Sequence, residues 1–195
     1  FNGLKVSATP AVIAELARMP QVASIVANQR IQAPIAEKIR TGQPIQRNRM
    51  EGAASSATAP EANLSLIMAP ELWNLGFRGQ GIVIASVDTG VDISHPDLAD
   101  SWRGGSNSWF DPYGEHSTPA DIASGHGTTT LGIMVGGDKG GIAIGVAPAA
   151  QWIAAKIFND DGDSFTAEVH AAYQWLLDPD GNADTDDAPH VVNSS

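Results

Sequence analysis

The spacing of hydrophobic positions divides the chain into a small front unit and a longer body. In the front unit, Thr9 and Pro10 are typical of a helix start, and the apolar stripe that follows predicts a helix over residues 11–19. An alternating stretch at 3–7 predicts a strand before this helix, and a second extended stretch ends near Ile31. A strand–helix–strand unit of about thirty residues is too small to fold alone. We therefore expect it to need a partner segment or a surface on which to dock.

In the body, apolar segments of strand length alternate with segments of helical spacing. The β-branched, almost wholly apolar run at 82–87 is typical of a central strand in a parallel sheet that is buried on both faces. The alternation predicts an α/β fold with a doubly wound, mostly parallel sheet, in which chemistry lies beyond the carboxyl ends of the strands. The predicted elements are a helix at 66–73, a strand at 82–87, an apolar segment at 128–135, a strand at 152–158, a helix from Ser164 or Thr166 to Leu177, and a strand that opens at Val191 and Val192.

Residues 48–63 separate the two units. They are mostly small and polar and include proline, which is typical of a linker exposed to cleavage. The chain therefore divides into a front unit at 1–47, a linker at 48–63 and a body at 64–195.

Charge is distributed unevenly between these units. Residues 1–50 hold seven basic and two acidic residues, a net charge of +5, and the remainder holds four basic and twenty acidic residues, a net charge of −16, which together give the −11 of the chain. A basic front and an acidic body favour two units that attract each other, although two independently solvated surfaces would show the same split. The acidic body argues against nucleic acid as a partner.

Composition and glycine spacing exclude several classes of chemistry. The chain has no cysteine, which excludes disulfides, thiol catalysis and cysteine-ligated metals. No apolar run approaches the roughly 18–20 residues that cross a bilayer, so we expect no membrane partner. Gly76, Gly79 and Gly81 precede the strand at 82–87, whereas the glycines of a dinucleotide-binding motif follow one. We therefore expect no cofactor.

Asp88 and His126 are the candidate catalytic residues. Asp88 directly follows the predicted strand, where a partly desolvated carboxylate is costly unless it is paired. His126 lies between two glycines and just before an apolar segment, which would place its imidazole near a helix start. The helix dipole there disfavours imidazolium and a nearby carboxylate favours it, a balance that suits a general base. Each residue alone also fits a turn or packing role.

Four segments of the body carry a more specific signal: 81–98 around Asp88, 125–132 around His126, 145–156, and 191–195. In this order they resemble the subtilisin-like serine peptidases of family S8. The long insertion before His126 and the region 175–187 most resemble the bacillopeptidase F-like branch of that family. The resemblance covers about 64–195 and implies a subtilisin-like α/β fold, here truncated.

The front unit is similar to the second half of the propeptide that precedes these enzymes, an inhibitory folding chaperone of the I9 type. The resemblance runs through residues 1–28 and implies a partial α+β, ferredoxin-like propeptide at 1–47. It also implies that the chain's own propeptide is a partner of the body and that the maturation region lies in the linker at 48–63.

The resemblance assigns a role to each site residue. Asp88 would orient His126, which would take the proton of a serine nucleophile and deliver it to the leaving amine. Ser195 would begin the strand with which the substrate backbone pairs. The implied protein is a secreted serine endopeptidase, made as a zymogen, that acts on proteins or peptides.

Two departures from the family limit what is carried over. The family's nucleophile lies in a Gly-Thr-Ser-Met segment, and neither this segment nor the oxyanion-hole asparagine segment occurs in the 195 residues. We therefore expect this chain to be a fragment that is inactive alone. Lys139 occupies a loop in which many relatives place an oxygen ligand for calcium, and Asp97 alone does not make a site, so we expect no metal.

Two alternatives remain. Val87-Asp88-Thr89-Gly90 nearly matches the signature of aspartic peptidases, but Val91 replaces the Ser or Thr of that signature, and aspartic peptidases are nearly all β. The second alternative is a degenerate subtilase that acts as a peptide-binding or inhibitory module. Such a module need not keep both Asp88 and His126.

Overall fold

The computed structural model describes residues 3–34 and 60–195. Most of the predicted linker at 48–63, and the end of the predicted front unit, therefore lie outside the described residues. In chain order the elements are α1 (Pro10–Leu16), β1 (Arg30–Gln32), α2 (Ala62–Leu66), α3 (Ala69–Asn74), β2 (Val83–Asp88), β3 (Trp109–Phe110), α4 (His126–Val135), β4 (Gln151–Lys156), β5 (Asp163–Phe165), α5 (Thr166–Leu177) and β6 (Val191–Ser194).

The body is built on a four-stranded parallel sheet with the order β3-β4-β2-β6. Successive residues of a strand point to opposite faces, and here both faces are covered. On one face Ile84 and Trp152 pack with residues of α4, and on the other Ala85 and Ile153 pack with residues of α5. Burial on both faces explains why the strands are continuously apolar. The predicted doubly wound α/β fold is confirmed.

The sheet register brings several polar residues to one edge. β2 ends at Asp88, which is in register with Lys156 at the end of β4. On the other side of β2, Val87 is in register with Ser194, the last residue of β6. Because all these strands are parallel, their carboxyl ends lie together at the edge where α/β proteins place their sites.

The front unit differs from its predicted form. No strand forms at 3–7, and among the described residues this stretch has no strand to pair with; an unpaired strand is not stable in water. α1 ends at Leu16 instead of residue 19 because Pro20 disfavours the helical conformation of Met19. The strand β1 forms as an antiparallel pair with β5 of the body. The described front unit is therefore docked on the body.

The helix predicted at 66–73 is two helices, α2 and α3. Pro70 lies in the first turn of α3, where a missing amide donor costs nothing, and Met68 before it adopts a left-handed conformation with φ 60°. The longest helix of the structure described here is α5, with 12 residues. No helix in 3–34 or 60–195 is long and apolar enough to cross a membrane.

Candidate active site

The end of strand β2 places Asp88 in the interior of the protein. Its side chain is 1% exposed, and its Oδ1 atom accepts a hydrogen bond from the backbone amide of Thr89 at 2.7 Å. Its Oδ2 atom accepts one from the hydroxyl of Thr130 at 3.2 Å. A buried carboxylate needs such donors because its desolvation is otherwise uncompensated.

The start of helix α4 places His126 beside this carboxylate. His126 is the first residue of the helix, as the sequence predicted, and Gly125 before it adopts a left-handed conformation with φ 64°. Gly127 lies against the loop that follows β2. A Cβ atom at position 127 would lie 2.1 Å from the carbonyl oxygen of Gly90, so only glycine permits this approach.

Asp88 and His126 are in direct contact. The Nδ1 atom of His126 lies 2.7 Å from Oδ1 of Asp88, and the imidazole is 27% exposed. A proton on Nδ1 is held by this contact, which leaves Nε2 as the ring nitrogen that can exchange a proton with another group. The arrangement is a general base with its orienting carboxylate.

The third predicted site residue, Ser195, lies at the same edge of the sheet. The sequence predicts that Ser195 begins a strand, but β6 ends at Ser194 and Ser195 follows it. Its hydroxyl is 2.8 Å from Nδ2 of Asn193, and the residue is exposed. Because Val87 is opposite Ser194, the next residue along β6 lies beside the end of β2 that carries Asp88.

The front unit contacts the body along β5 and the start of α5. Main-chain hydrogen bonds run from the amide of Ala33 to the carbonyl of Gly162 at 2.7 Å, and from the amide of Thr166 to the carbonyl of Gln29 at 3.0 Å. The side-chain Oδ1 of Asn28 accepts from the amide of Ala167 at 2.9 Å. The sequence predicts that α5 begins at Ser164 or Thr166, and the helix begins at Thr166. The side chain of its N-cap residue, Phe165, accepts no capping hydrogen bond, and the Asn28 side chain supplies this acceptor instead.

Two ion pairs join the same surfaces. Arg30 donates from Nε to Oδ1 of Asp163 at 2.6 Å and from a second guanidinium nitrogen to Oδ2, a bidentate pair. This carboxylate raises the pKa of Arg30, first through the hydrogen bond and then through its charge. Lys5 pairs with Glu168, whose side chain is 9% exposed. In both pairs the basic residue belongs to the front unit and the acidic residue to the body.

A buried lysine neutralises the first of two groups that could hold a metal. The Nζ atom of Lys156 is fully buried and lies 2.8 Å from Glu115 and 3.1 Å from Asp160. His116 hydrogen-bonds Asp160 at 2.9 Å. This hydrogen bond and then that of Lys156 lower the pKa of Asp160. Since an ammonium already pairs with these carboxylates, we assign no metal to the group formed by Glu115, His116 and Asp160.

The second group consists of Asp178, Asp180 and Asp187 on the loop after α5. The guanidinium of Arg103 lies near it, bonded to the carbonyl of Asp187 at 2.6 Å. An exposed acidic cluster alone does not define a metal site, and we assign none. In the loop that contains Lys139, for which the sequence predicts no metal, the ammonium of Lys139 pairs with Asp100.

Sequence reasoning missed three polar residues around the Asp88–His126 pair: Thr89, Asp121 and Thr130. Thr89 and Thr130 are close to the pair in sequence, at one position after Asp88 and one helical turn after His126. Their positions could therefore have suggested them. Asp121 lies in an irregular segment before His126, and no spacing rule indicates it.

Comparison with known proteins agrees with the fold. The model of the subtilase family matches residues 79–195, more than half of the chain. Bacillopeptidase F of Bacillus subtilis (strain 168) is 34% identical over 208 aligned residues, which cover all of this chain and 14% of that protein. The major intracellular serine protease of the same strain is 35% identical over 58% of this chain and 34% of its own length. Subtilisin E is 32% identical over 58% of this chain and 28% of its own length.

This chain thus spans about a third or less of each of these relatives. The family match nevertheless includes both sequence segments that form the Asp88–His126 contact, and it covers the sheet from β2 to β6. The chain belongs to the subtilase family of serine peptidases.

Proposed function

We propose that this chain is part of a serine endopeptidase and contributes Asp88 and His126 to an Asp-His-Ser triad. The observation that carries the proposal is the 2.7 Å contact between a buried carboxylate and a partly exposed imidazole at the carboxyl edge of the sheet. Burial strengthens the electrostatic support that Asp88 gives to imidazolium, because the local dielectric is low. The exposed part of the ring can meet a substrate.

In the proposed mechanism, His126 takes the proton of the serine hydroxyl on Nε2 as the hydroxyl attacks the peptide carbonyl. Asp88 holds the proton on Nδ1, which fixes the tautomer and ring orientation and stabilises the imidazolium that forms. The same imidazolium then protonates the leaving amine. The hydroxyl of Thr130 and the amide of Thr89 orient the Asp88 carboxylate by donating to it.

The front unit is proposed to be a propeptide that inhibits the body. The support is the mode of contact: β1 adds an antiparallel strand to β5, which is how extended peptides bind to a sheet edge. A chain segment that occupies β5 excludes any other extended peptide from that strand. Zymogen processing within 48–63 remains part of this proposal.

Ser195 is proposed to belong to the substrate-binding surface. It is exposed at the end of β6, next to the edge that carries the Asp88–His126 pair. An extended peptide that runs past this edge would lie along the main chain around Ser195. The proposed substrates are proteins or peptides.

Secretion is also a proposal that rests on the family resemblance. The relatives include two whose names describe intracellular serine proteases, from Bacillus subtilis (strain 168) and Paenibacillus polymyxa. Detection of the native protein in culture medium or in washed cells decides between the two locations.

The coding sequence beyond Ser195 tests the proposed activity. A Gly-Thr-Ser segment downstream, together with casein hydrolysis by the complete gene product, supports the endopeptidase. The alternative, a degenerate subtilase that binds peptides or inhibits proteases, predicts no such segment and peptide binding without hydrolysis. The contact between Asp88 and His126 favours the endopeptidase, because a binding module has no use for an oriented base.

A further inference from the structure

Asp121 lies between the loop that follows β2, just after Asp88, and the first turn of α4, which begins at His126. Its Oδ1 atom accepts hydrogen bonds from the hydroxyl of Thr89 at 2.6 Å and from the amide of Ile122 at 2.8 Å. Its Oδ2 atom accepts from both the hydroxyl, at 2.5 Å, and the amide, at 2.9 Å, of Thr128. Asp121 therefore binds the residue after Asp88 and the second residue after His126 through opposite oxygens of one carboxylate.

The two threonine hydroxyls connect the loop after β2 and the first turn of α4 in both directions. The hydroxyl of Thr89, in the loop, accepts from the amide of Gly127, in the helix, at 2.9 Å. The hydroxyl of Thr128, in the helix, accepts from the amide of Asp92, in the loop, at 2.9 Å. A hydroxyl has one proton. Because each proton is donated to Asp121, the lone pairs of each hydroxyl are free for the amide of the other segment.

Main-chain contacts hold the Asp121 segment against the same place. Gly90 pairs with Asp121 in an antiparallel bridge, and the amide of Val91 donates to the carbonyl of Ala120 at 3.1 Å. A Cβ atom at position 90 would lie 2.0 Å from that carbonyl oxygen. These contacts hold the Asp121 segment close against the loop that follows Asp88.

We propose that Asp121 is a positioning residue for the Asp88–His126 pair. Its carboxylate binds the loop after β2 and the first turn of α4, and so holds Nδ1 of His126 within hydrogen-bond distance of Oδ1 of Asp88. This inference rests on the proposed function and adds to it a residue that does not touch the reacting atoms. Asp121 contacts Thr89, which follows Asp88, and Thr128, the second residue after His126, and it acts on the pair by holding these two threonines in place.

The histidine rings provide a readout that does not require turnover. The protein has five histidines, so histidine-selective ¹⁵N labelling of the 195-residue chain gives a simple spectrum, and a His126→Gln variant assigns the His126 ring. Long-range ¹H–¹⁵N NMR reports the tautomer, and the hydrogen-bonded Nδ1 proton gives a downfield signal. Hydrogen exchange at the amides of Gly127 and Asp92 reports the two hydrogen bonds that join the loop and the helix.

In Asp121→Asn, the amide group that replaces Oδ2 faces the Thr128 amide, and two donors then oppose each other. We expect the Nδ1 proton signal of His126 to be lost or broadened. We expect exchange at Gly127 and Asp92 to rise roughly five- to tenfold, the effect of weakening one hydrogen bond. Asp111→Asn is the matched control, because the Asp111 carboxylate likewise accepts amide hydrogen bonds through both oxygens, from residues 113, 115 and 116. It should leave His126 unchanged.

A second pair of variants keeps the test decisive if Asp121→Asn does not fold. Thr128→Val removes one hydroxyl of the junction and should weaken the His126 signal, whereas Thr128→Ser keeps the hydroxyl and should behave as the unaltered chain. Unchanged His126 ring signals in a folded Asp121→Asn, or in Thr128→Val, overturn the positioning role.

The Asp88→Ala variant, which removes both acceptor oxygens, separates this failure from failure of the proposed function. Its His126 signal should be lost if the Asp88–His126 hydrogen bond exists. If that signal persists in Asp88→Ala, the pair itself is not formed and the proposed function loses its support. If it is lost in Asp88→Ala and persists in Asp121→Asn, only the role of Asp121 is wrong.

Discussion

Arg30 and Asp163, which are 133 residues apart in the chain, form a bidentate ion pair across the contact between the front unit and the body. The pair lies beside the main-chain ladder of β1 and β5, in which Arg30 is opposite Phe165. A bidentate pair fixes the relative orientation of the two side chains, in addition to the attraction between their charges. The pair therefore helps to set the register of the strand that the front unit adds to the body.

Replacing Arg30 by Gln should loosen this ladder. The side chain of Arg30 is 58% exposed, so its charge is screened and the effect is modest. We expect hydrogen exchange at the amides of Ala33 and Thr166 to rise roughly two- to fivefold, and we expect the difference to shrink at high salt. Lys139→Gln is the matched control, because it removes an exposed ion pair with Asp100, a residue of the body. Equal exchange in both variants would contradict a role of Arg30 in docking.

Two glycines of helix α4 should respond in opposite ways to alanine. At Gly127 a Cβ atom would lie 2.1 Å from the Gly90 carbonyl oxygen, so Gly127→Ala must push the start of α4 away from the loop that follows β2. At Gly132 the nearest atom lies at 3.8 Å, and alanine gains helix propensity of up to about 1 kcal/mol. Chemical unfolding should give a loss of about 2 kcal/mol or more for Gly127→Ala and no loss for Gly132→Ala. Similar losses in both would show that the close approach is not the cause.

Acid should weaken the polar cluster around Lys156. Hydrogen bonds from His116 and then Lys156 lower the pKa of Asp160 below its unfolded value. A carboxyl group with a lowered pKa stabilises the fold when the pH is above its unfolded pKa, near 4. This contribution is lost as the pH falls through the folded pKa. Because Asp160 is 54% exposed, the effect should be small. Between pH 5 and 3, Asp160→Asn and His116→Gln should each flatten the dependence of unfolding free energy on pH, and unchanged slopes in both would contradict this account.

The 195-residue chain by itself should not hydrolyse peptides. Asp88 and His126 supply a base and its support, and the chain has no Gly-Thr-Ser segment to supply the nucleophile of the family. Casein or a chromogenic peptide should therefore be cleaved at the background rate. Turnover by this chain that disappears in His126→Ala would contradict the prediction.

The body could be predicted from the sequence because its central strands, β2 and β4, are buried on both faces. The run that forms β2 is apolar throughout, and its end at Asp88 marks the site edge. The helix start at His126 followed from the glycines and the apolar segment after it. These features depend on local pattern, which a sequence displays directly.

Features that depend on distant contacts could not be predicted. β5 has only three residues and exists because β1 pairs with it, and the cap of α5 comes from Asn28, 139 residues before the amide that it accepts from. The proposed role of Asp121 depends on contacts among its own segment, the loop after β2 and the first turn of α4. Such pairings are set by tertiary packing, and the local periodicity of the sequence does not indicate them.

The central claim is that Asp88 and His126 activate a serine in a subtilase, and serine labelling tests it most directly. The complete gene product should react with a serine-directed fluorophosphonate. Asp88→Asn should slow this labelling by roughly 10⁴-fold and His126→Ala by roughly 10⁶-fold, the sizes of effect that such changes have in Asp-His-Ser enzymes. Labelling at an undiminished rate in the folded His126→Ala protein would contradict the account.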